Sequence, residues 1–129
     1  MSKTKYSIST NDDDQYLFYL PITIWLHYEL HGFETIYFVL GDKKKFDFVD
    51  KWIDKRHTRV NLKALNGYRD ATIVQLSRLF GYLYTGKDDN IMIGDVDMLQ
   101  FAQIPDCNIY GSDLVGFNQY PMQYTISRS

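Results

Sequence analysis

The residues best placed to do chemistry are Asp95 and Asp97, which flank Val96 directly after the apolar run Ile91-Met92-Ile93-Gly94. Fourteen of the 129 residues are aspartate, so chance yields roughly 1.5 Asp-x-Asp triplets in a chain of this composition. Two occur, at Asp12/Asp14 and at Asp95/Asp97, and position separates them. The second pair follows a buried strand and precedes Met98-Leu99. Two carboxylates held at such a strand end repel one another and lose hydration. A divalent cation relieves both penalties. Oxygen donors suit Mg²⁺ or Mn²⁺, ions that commonly also hold substrate phosphates. The plain alternative is a solvated turn carrying two acids.

The elements that would position this pair follow from periodicity. Lys5 to Thr10 alternates as a strand, and Asn11-Asp12-Asp13-Asp14 reads as a turn or a helix-capping stretch. Leu17, Leu20, Ile24 and Tyr28 are spaced as one helix face. Pro21 either lies in the first turn of a helix starting near Leu20 or kinks a longer one, and Gly32 ends it. Thr35 to Leu40 is apolar throughout, as in a strand covered on both faces, and Gly41-Asp42 breaks it. Phe46 to Lys55 reads as a short amphipathic helix with Phe46, Val49, Trp52 and Ile53 inward. Arg59 to Leu62 is a third strand. Asp70 to Tyr84 is a helix with Ile73, Leu76, Leu79, Phe80 and Leu83 as its apolar stripe, and Ile91 to Gly94 is a buried strand. This alternation predicts an α/β fold: a single Rossmann-like domain with a mostly parallel central sheet flanked by helices. Ligands of such sheets lie beyond the carboxyl ends of the strands.

Composition bounds the function. Fourteen basic and sixteen acidic residues give a net charge of −2, without the basic surplus on which nucleic-acid binding depends. Nucleic acid is therefore not expected as the main partner. A lone cysteine, Cys107, forms no internal disulfide. The run Tyr16 to Leu30 holds Pro21, His27 and Glu29 and falls short of the roughly 20 residues of a membrane span. No signal peptide is visible, so a soluble, cytoplasmic protein without a membrane span is expected.

The block RDATIVQLSRLFGYLYTGKDDNIMIGDVDMLQF resembles the stretch of GT-A glycosyltransferases in which a helix ending in Arg-Leu leads into an apolar strand and the Asp-x-Asp motif. That resemblance implies transfer of a sugar from a UDP- or GDP-linked donor to a glycan or other hydroxyl acceptor, with Mn²⁺ or Mg²⁺ held against the diphosphate. It implies that Asp97 ligates the metal directly and that Asp95 binds the ribose or reaches the metal through water. Arg78 would point toward the donor, with Gln75 one turn earlier on the same face. Thr10 and Asn11 fall where the family places its nucleoside-binding loop, and Asp42 where an acid contacts the base. For these three, turn chemistry fits equally well. YGSDLVGF and QYPMQY resemble the start of the acceptor half, and Asp113 lies near the sugar or forms a turn with Gly111 and Ser112.

Where this sequence departs from the family, no histidine follows Asp97 to serve as a third ligand, and the chain is short, as in a small or truncated member. His27 reads as a helix-face residue, Lys43-Lys44-Lys45 as a solvated loop, and Trp25, Trp52, Met92 and Met98 as core. Phe117, Tyr120 and Tyr124 would be exposed at the short end, which favours a homo-oligomer. Two other functions compete. One is a non-catalytic nucleotide- or metal-binding remnant, or an interaction module, of the same fold. The other is a haloacid-dehalogenase type of phosphotransferase, which fits poorly because its nucleophilic acid lies on the opening strand.

Overall fold

The computed structural model describes residues 4–86, 89–97, 99, 114–117 and 123–127. Met98, Asp113 and Tyr120 lie outside them, as do Gly111, Ser112 and most of the QYPMQY segment. The backbone of Phe117 and Tyr124 is described, within strands.

The first strand, β1 (Thr4–Asn11), runs into α1 (Asp14–His31) through a short acidic turn. Asp13 caps the helix by accepting from the Gln15 N–H at 2.9 Å, and Asp14 places a negative charge in the first turn. Gly32 closes it in the left-handed conformation at φ 71°, its N–H donating to the Tyr28 carbonyl at 2.8 Å. Pro21 therefore lies inside an 18-residue helix, the longer of the two versions the sequence allowed.

Strand β2 (Glu34–Leu40) follows, buried from Thr35 to Leu40 as a doubly covered strand must be. The second helix, α2, begins at Lys43 and ends at Val49, with a 3-10 turn at Asp50–Trp52. The three lysines thus form its first turn, not a loop. Phe46 and Val49 are buried and Ile53 packs against the core, but Trp52 is 62% exposed and Trp25 59%. Both tryptophans were expected in the core; only Met92 of the described residues in that group lies there. Edge strand β3 (Thr58–Asn61) is tied to α2 by Arg59, which pairs with Asp47 at 2.8 Å and Asp50 at 2.7 Å.

The third helix, α3 (Asp70–Ser77), gives way to a 3-10 stretch at Arg78–Tyr84. This differs from the single helix and apolar stripe expected. Leu76, Leu79, Phe80 and Leu83 are exposed, and the buried row is Val74, Ser77 and Gly81. Close backbone contact with β1 selects those small residues. The Ser7 hydroxyl donates to the Arg78 carbonyl at 2.6 Å, and a Cβ on Gly81 would fall 2.5 Å from Ser7 Oγ.

Strand β4 (Asn90–Ile93) and the pair β5 (Leu114–Phe117) and β6 (Gln123–Ser127) complete a sheet in the order β3-β2-β1-β4-β6-β5. The first four strands are parallel; β6 runs antiparallel to β4 and to β5. This is the α/β, Rossmann-like architecture with a mostly parallel sheet. Tyr6, Ile8, Tyr37, Val39 and Met92 face α1 and α2, joined by Leu20, Ile24 and Phe46 in one core. Ser7 and Phe38 face the opposite layer, where Arg78, Gly81 and Tyr84 meet them. The β1-to-β2 connection therefore covers one face and the β3-to-β4 connection the other. The chain reverses its winding between β1 and β4, which leaves a crevice at their carboxyl ends.

Candidate functional site

That crevice is a cleft of about 270 Å³ lined by Ser9, Thr10 and Asn11 from β1, Tyr16 from α1, Ala71, Val74 and Gln75 from α3, Arg78, and Asp95-Val96-Asp97. Six of the seven residues proposed from sequence (Thr10, Asn11, Gln75, Arg78, Asp95 and Asp97) thus meet in one place. Asp42 is not among them. It caps α2 by accepting from the Lys44 N–H at 3.0 Å, and its own N–H donates to Asp12 Oδ2 at 2.9 Å.

The local fold explains how both acids reach the cleft. Gly94 extends the β1–β4 ladder, donating to the Ser7 carbonyl at 3.2 Å. Val96 is 4% exposed and belongs to the core, and its carbonyl accepts from the Thr23 hydroxyl of α1 at 2.5 Å. The middle residue of the triplet is anchored by packing and by a buried hydrogen bond. Asp95, partly buried, and Asp97, exposed, are left on the cleft side.

Arg78 is held at both ends. Its carbonyl is bonded to Ser7, and its Nη1 pairs with Asp95 Oδ1 and donates to the Gly94 carbonyl at 3.2 Å. The guanidinium carries five donors, and among the described contacts only Nη1 is engaged. Nε and Nη2 thus remain for an anion. Asp97 pairs with no cation among the described residues. Asp95 and Asp97 do not relieve their repulsion unaided: Arg78 already compensates the first acid.

On β1 the polar groups are partly committed to the turn. The Thr10 hydroxyl donates to the Asn11 carbonyl at 3.0 Å, and the Asn11 side-chain oxygen accepts from the Asp13 N–H at 3.0 Å. The Asn11 side-chain amide keeps its N–H donors for a ligand. Behind the acids lies Tyr6, fully buried, its hydroxyl without a hydrogen-bond partner among the described residues. Burial foremost, and then the charge of Asp95, pushes this phenol well above its ordinary range. A side chain on Gly94 would collide with the same hydroxyl, so glycine is required where the backbone crosses Tyr6.

The donor set tests the fit to a cation. Among the described residues no group of three His, Cys, Asp or Glu side chains gathers as a metal nest. Two carboxylates offer hard oxygen ligands, and Mg²⁺ or Mn²⁺ bound through one or two carboxylates takes its other ligands from phosphates and water. The acids fit that mode, in which the protein alone does not complete the shell. Tyr16 was missed by sequence reasoning. Its signal was its place in the first turn of the helix after β1, which must border that strand's carboxyl end. No family model matches this chain, and no curated protein matches it in sequence.

Proposed function

We propose that the cleft binds a nucleoside-diphosphate sugar with Mn²⁺ or Mg²⁺, and that the protein is a cytoplasmic, metal-dependent glycosyltransferase acting on a glycan or other hydroxyl acceptor. The convergence of Asp95, Asp97 and Arg78 at the point where the sheet reverses its winding carries this reading. The cation, when bound, neutralises charge on the departing diphosphate. Asp97 offers it a carboxylate, and Asp95 a second one on the side shared with Arg78. Arg78, through Nε and Nη2, binds a phosphate oxygen and stabilises the charge developing there. Gln75, exposed on the same side of α3, donates to the donor's polar groups, and the Asn11 amide to the nucleoside.

Calorimetry with UDP, GDP and their sugars, with and without Mn²⁺, tests the reading. Nucleotide binding that requires the cation and weakens at least about tenfold in Asp97→Ala is expected. No binding in the presence of Mn²⁺, or binding unchanged by that substitution, overturns it.

One observation favours a second reading, a module of the same fold that binds without turnover. Among the described lining residues the only carboxylates are Asp95 and Asp97, and Asp95 is paired with Arg78, so neither a third acid nor a histidine stands ready as base. Slow hydrolysis of the sugar nucleotide without acceptor separates the two, since a binding module leaves the donor intact.

A further inference from the structure

A larger concave surface lies elsewhere, in a groove of about 640 Å³ between α1 and α2. Its floor is Leu17, Pro21 and Val49; its walls are Phe18 and Ile22 on α1, Phe48 on α2 and Trp52 on the 3-10 turn that follows it. Phe18 is 66% exposed, Phe48 57% and Trp52 62%. An exposed apolar surface of this kind marks an interaction site. Its origin is in α1, which is apolar around its whole circumference although the sheet covers only one side. Trp25, on the same outer side one turn beyond Ile22, shares a smaller cavity with Trp52.

The charges of α2 are sorted about this groove. Lys44 and Lys45 stand on its rim, and the Lys51 ammonium lies 5.2 Å from the centre of the Phe48 ring. Asp47 and Asp50 are turned away to Arg59. Asp14, the acid on the rim, pairs with Lys45 at 3.2 Å, so these two charges offset one another and Lys44 and Lys51 are the surplus cations. A chain of net charge −2 therefore presents this apolar surface with two lysines, Lys44 and Lys51, in surplus at its border. Tryptophan and phenylalanine ringed by lysine is the composition of proteins that rest in the interfacial layer of a bilayer.

We propose that the α1–α2 face docks on an anionic lipid bilayer, with Phe18, Phe48 and Trp52 entering the acyl boundary and Lys44 and Lys51 meeting lipid phosphates. This rests on the groove alone and is independent of the nucleotide reading. It requires no membrane span, and among the described residues no helix is long and apolar enough to form one.

The chain's two tryptophans, Trp25 and Trp52, both lie on this face, so its own fluorescence reports docking. The full chain is mixed with vesicles of phosphatidylcholine alone or with added phosphatidylglycerol, and sedimentation is followed with tryptophan emission. Binding with a blue shift is expected on the anionic vesicles, reversed by salt. Lys44→Glu with Lys51→Glu, both exposed, weakens it by about tenfold or more. Phe18→Ser with Phe48→Ser abolishes the shift while circular dichroism remains native. Equal binding to neutral vesicles, or none to anionic ones, overturns the proposal. So does a lipid-free dimer that either pair of substitutions dissociates, because a second copy of the chain then covers this face.

Discussion

Two concave surfaces of this domain are built on opposite terms. The β1–β4 cleft is small, about 270 Å³, and carries the carboxylates and the arginine. The α1–α2 groove is more than twice as large, about 640 Å³, and its lining is apolar and aromatic apart from Asp14, Lys44 and Lys45 at the rim. Volume is thus a poor guide to chemistry here. The cleft exists because parallel strands with connections on opposite faces part at a fixed point, and the backbone delivers polar residues there whatever their neighbours. The groove exists because α1 and α2 have more apolar surface than the sheet can cover.

The contrast can be broken or sharpened by substitution, beginning with the core that both surfaces share. Leu20 is fully buried between α1 and the sheet, and Leu20→Ala is expected to cost about 2–5 kcal/mol in urea unfolding. A loss below this range would mean that the α1 layer is looser than its burial implies. Next comes Gly94→Ala, which drives a methyl into the Tyr6 hydroxyl and should cost about 1–3 kcal/mol. Tyr6→Phe removes a buried hydroxyl that has no partner among the described residues. It should be neutral or stabilising alone and should recover only part of the Gly94→Ala loss, because the ring carbons Cζ and Cε1 still lie 2.9 and 3.0 Å from the added Cβ. No recovery at all would show that the ring, and not the hydroxyl, sets the cost.

Asp97→Ala separates function from stability. Cation-dependent nucleotide binding should weaken at least about tenfold, since contacts to a charged group are worth about 1.5–3 kcal/mol. Unfolding free energy should stay within about 0.5 kcal/mol, as for an exposed residue without a hydrogen-bond or ion-pair partner among the described residues.

Acid sensitivity belongs to the scaffold behind the cleft and at the sheet's other end. His27 is fully buried, stacked on Tyr6 at 4.2 Å, with its Nδ1–H donating to the Thr23 carbonyl at 2.8 Å. His57 Nδ1 accepts from the Thr35 N–H at 2.9 Å, which a protonated ring cannot do. Burial foremost lowers both below their ordinary value of 6.5. The unfolded chain therefore takes up these protons first. Their contribution is whole above 6.5 and is lost as pH falls from there through the lowered folded values. The urea midpoint should drop between about pH 7.5 and about pH 5.5, and less steeply in His57→Gln. The smallest effect is expected in the groove, where Phe18→Ser should change stability by no more than about 0.5 kcal/mol. A larger loss would make that side chain part of the core.

Much of the framework was legible because strand and cap signals are local. The alternation at Lys5 to Thr10, the doubly apolar run at Thr35 to Leu40, the Asp13 cap and the Gly32 stop all depend on near neighbours in the chain. The helix faces were less legible. In α3 the apolar spacing pointed to Leu76, Leu79, Phe80 and Leu83, yet the structure buries Val74, Ser77 and Gly81. Hydrophobic periodicity assumes that a layer packs through large side chains. Here the 3-10 backbone lies directly on Ser7, and small residues are selected instead. Trp25 and Trp52 were misjudged for a related reason. Hydrophobicity measures an affinity for burial, and two helices on one sheet face did not supply enough cover. In the cleft, strand ends located Asp95, Asp97, Thr10 and Asn11, but the Arg78–Asp95 pair joins residues seventeen apart and no local pattern reveals it.

The amino-acid order alone determined the alternation of strands and helices, and with it a mostly parallel sheet whose strand ends hold the acids, because backbone propensity and apolar period act over a few residues. Only the tertiary structure decided which side of each helix is covered, that Val96 is the inward anchor between two outward carboxylates, and that Asp42 caps a helix outside the cleft. Those outcomes depend on which surfaces meet across the sheet and on how closely they approach.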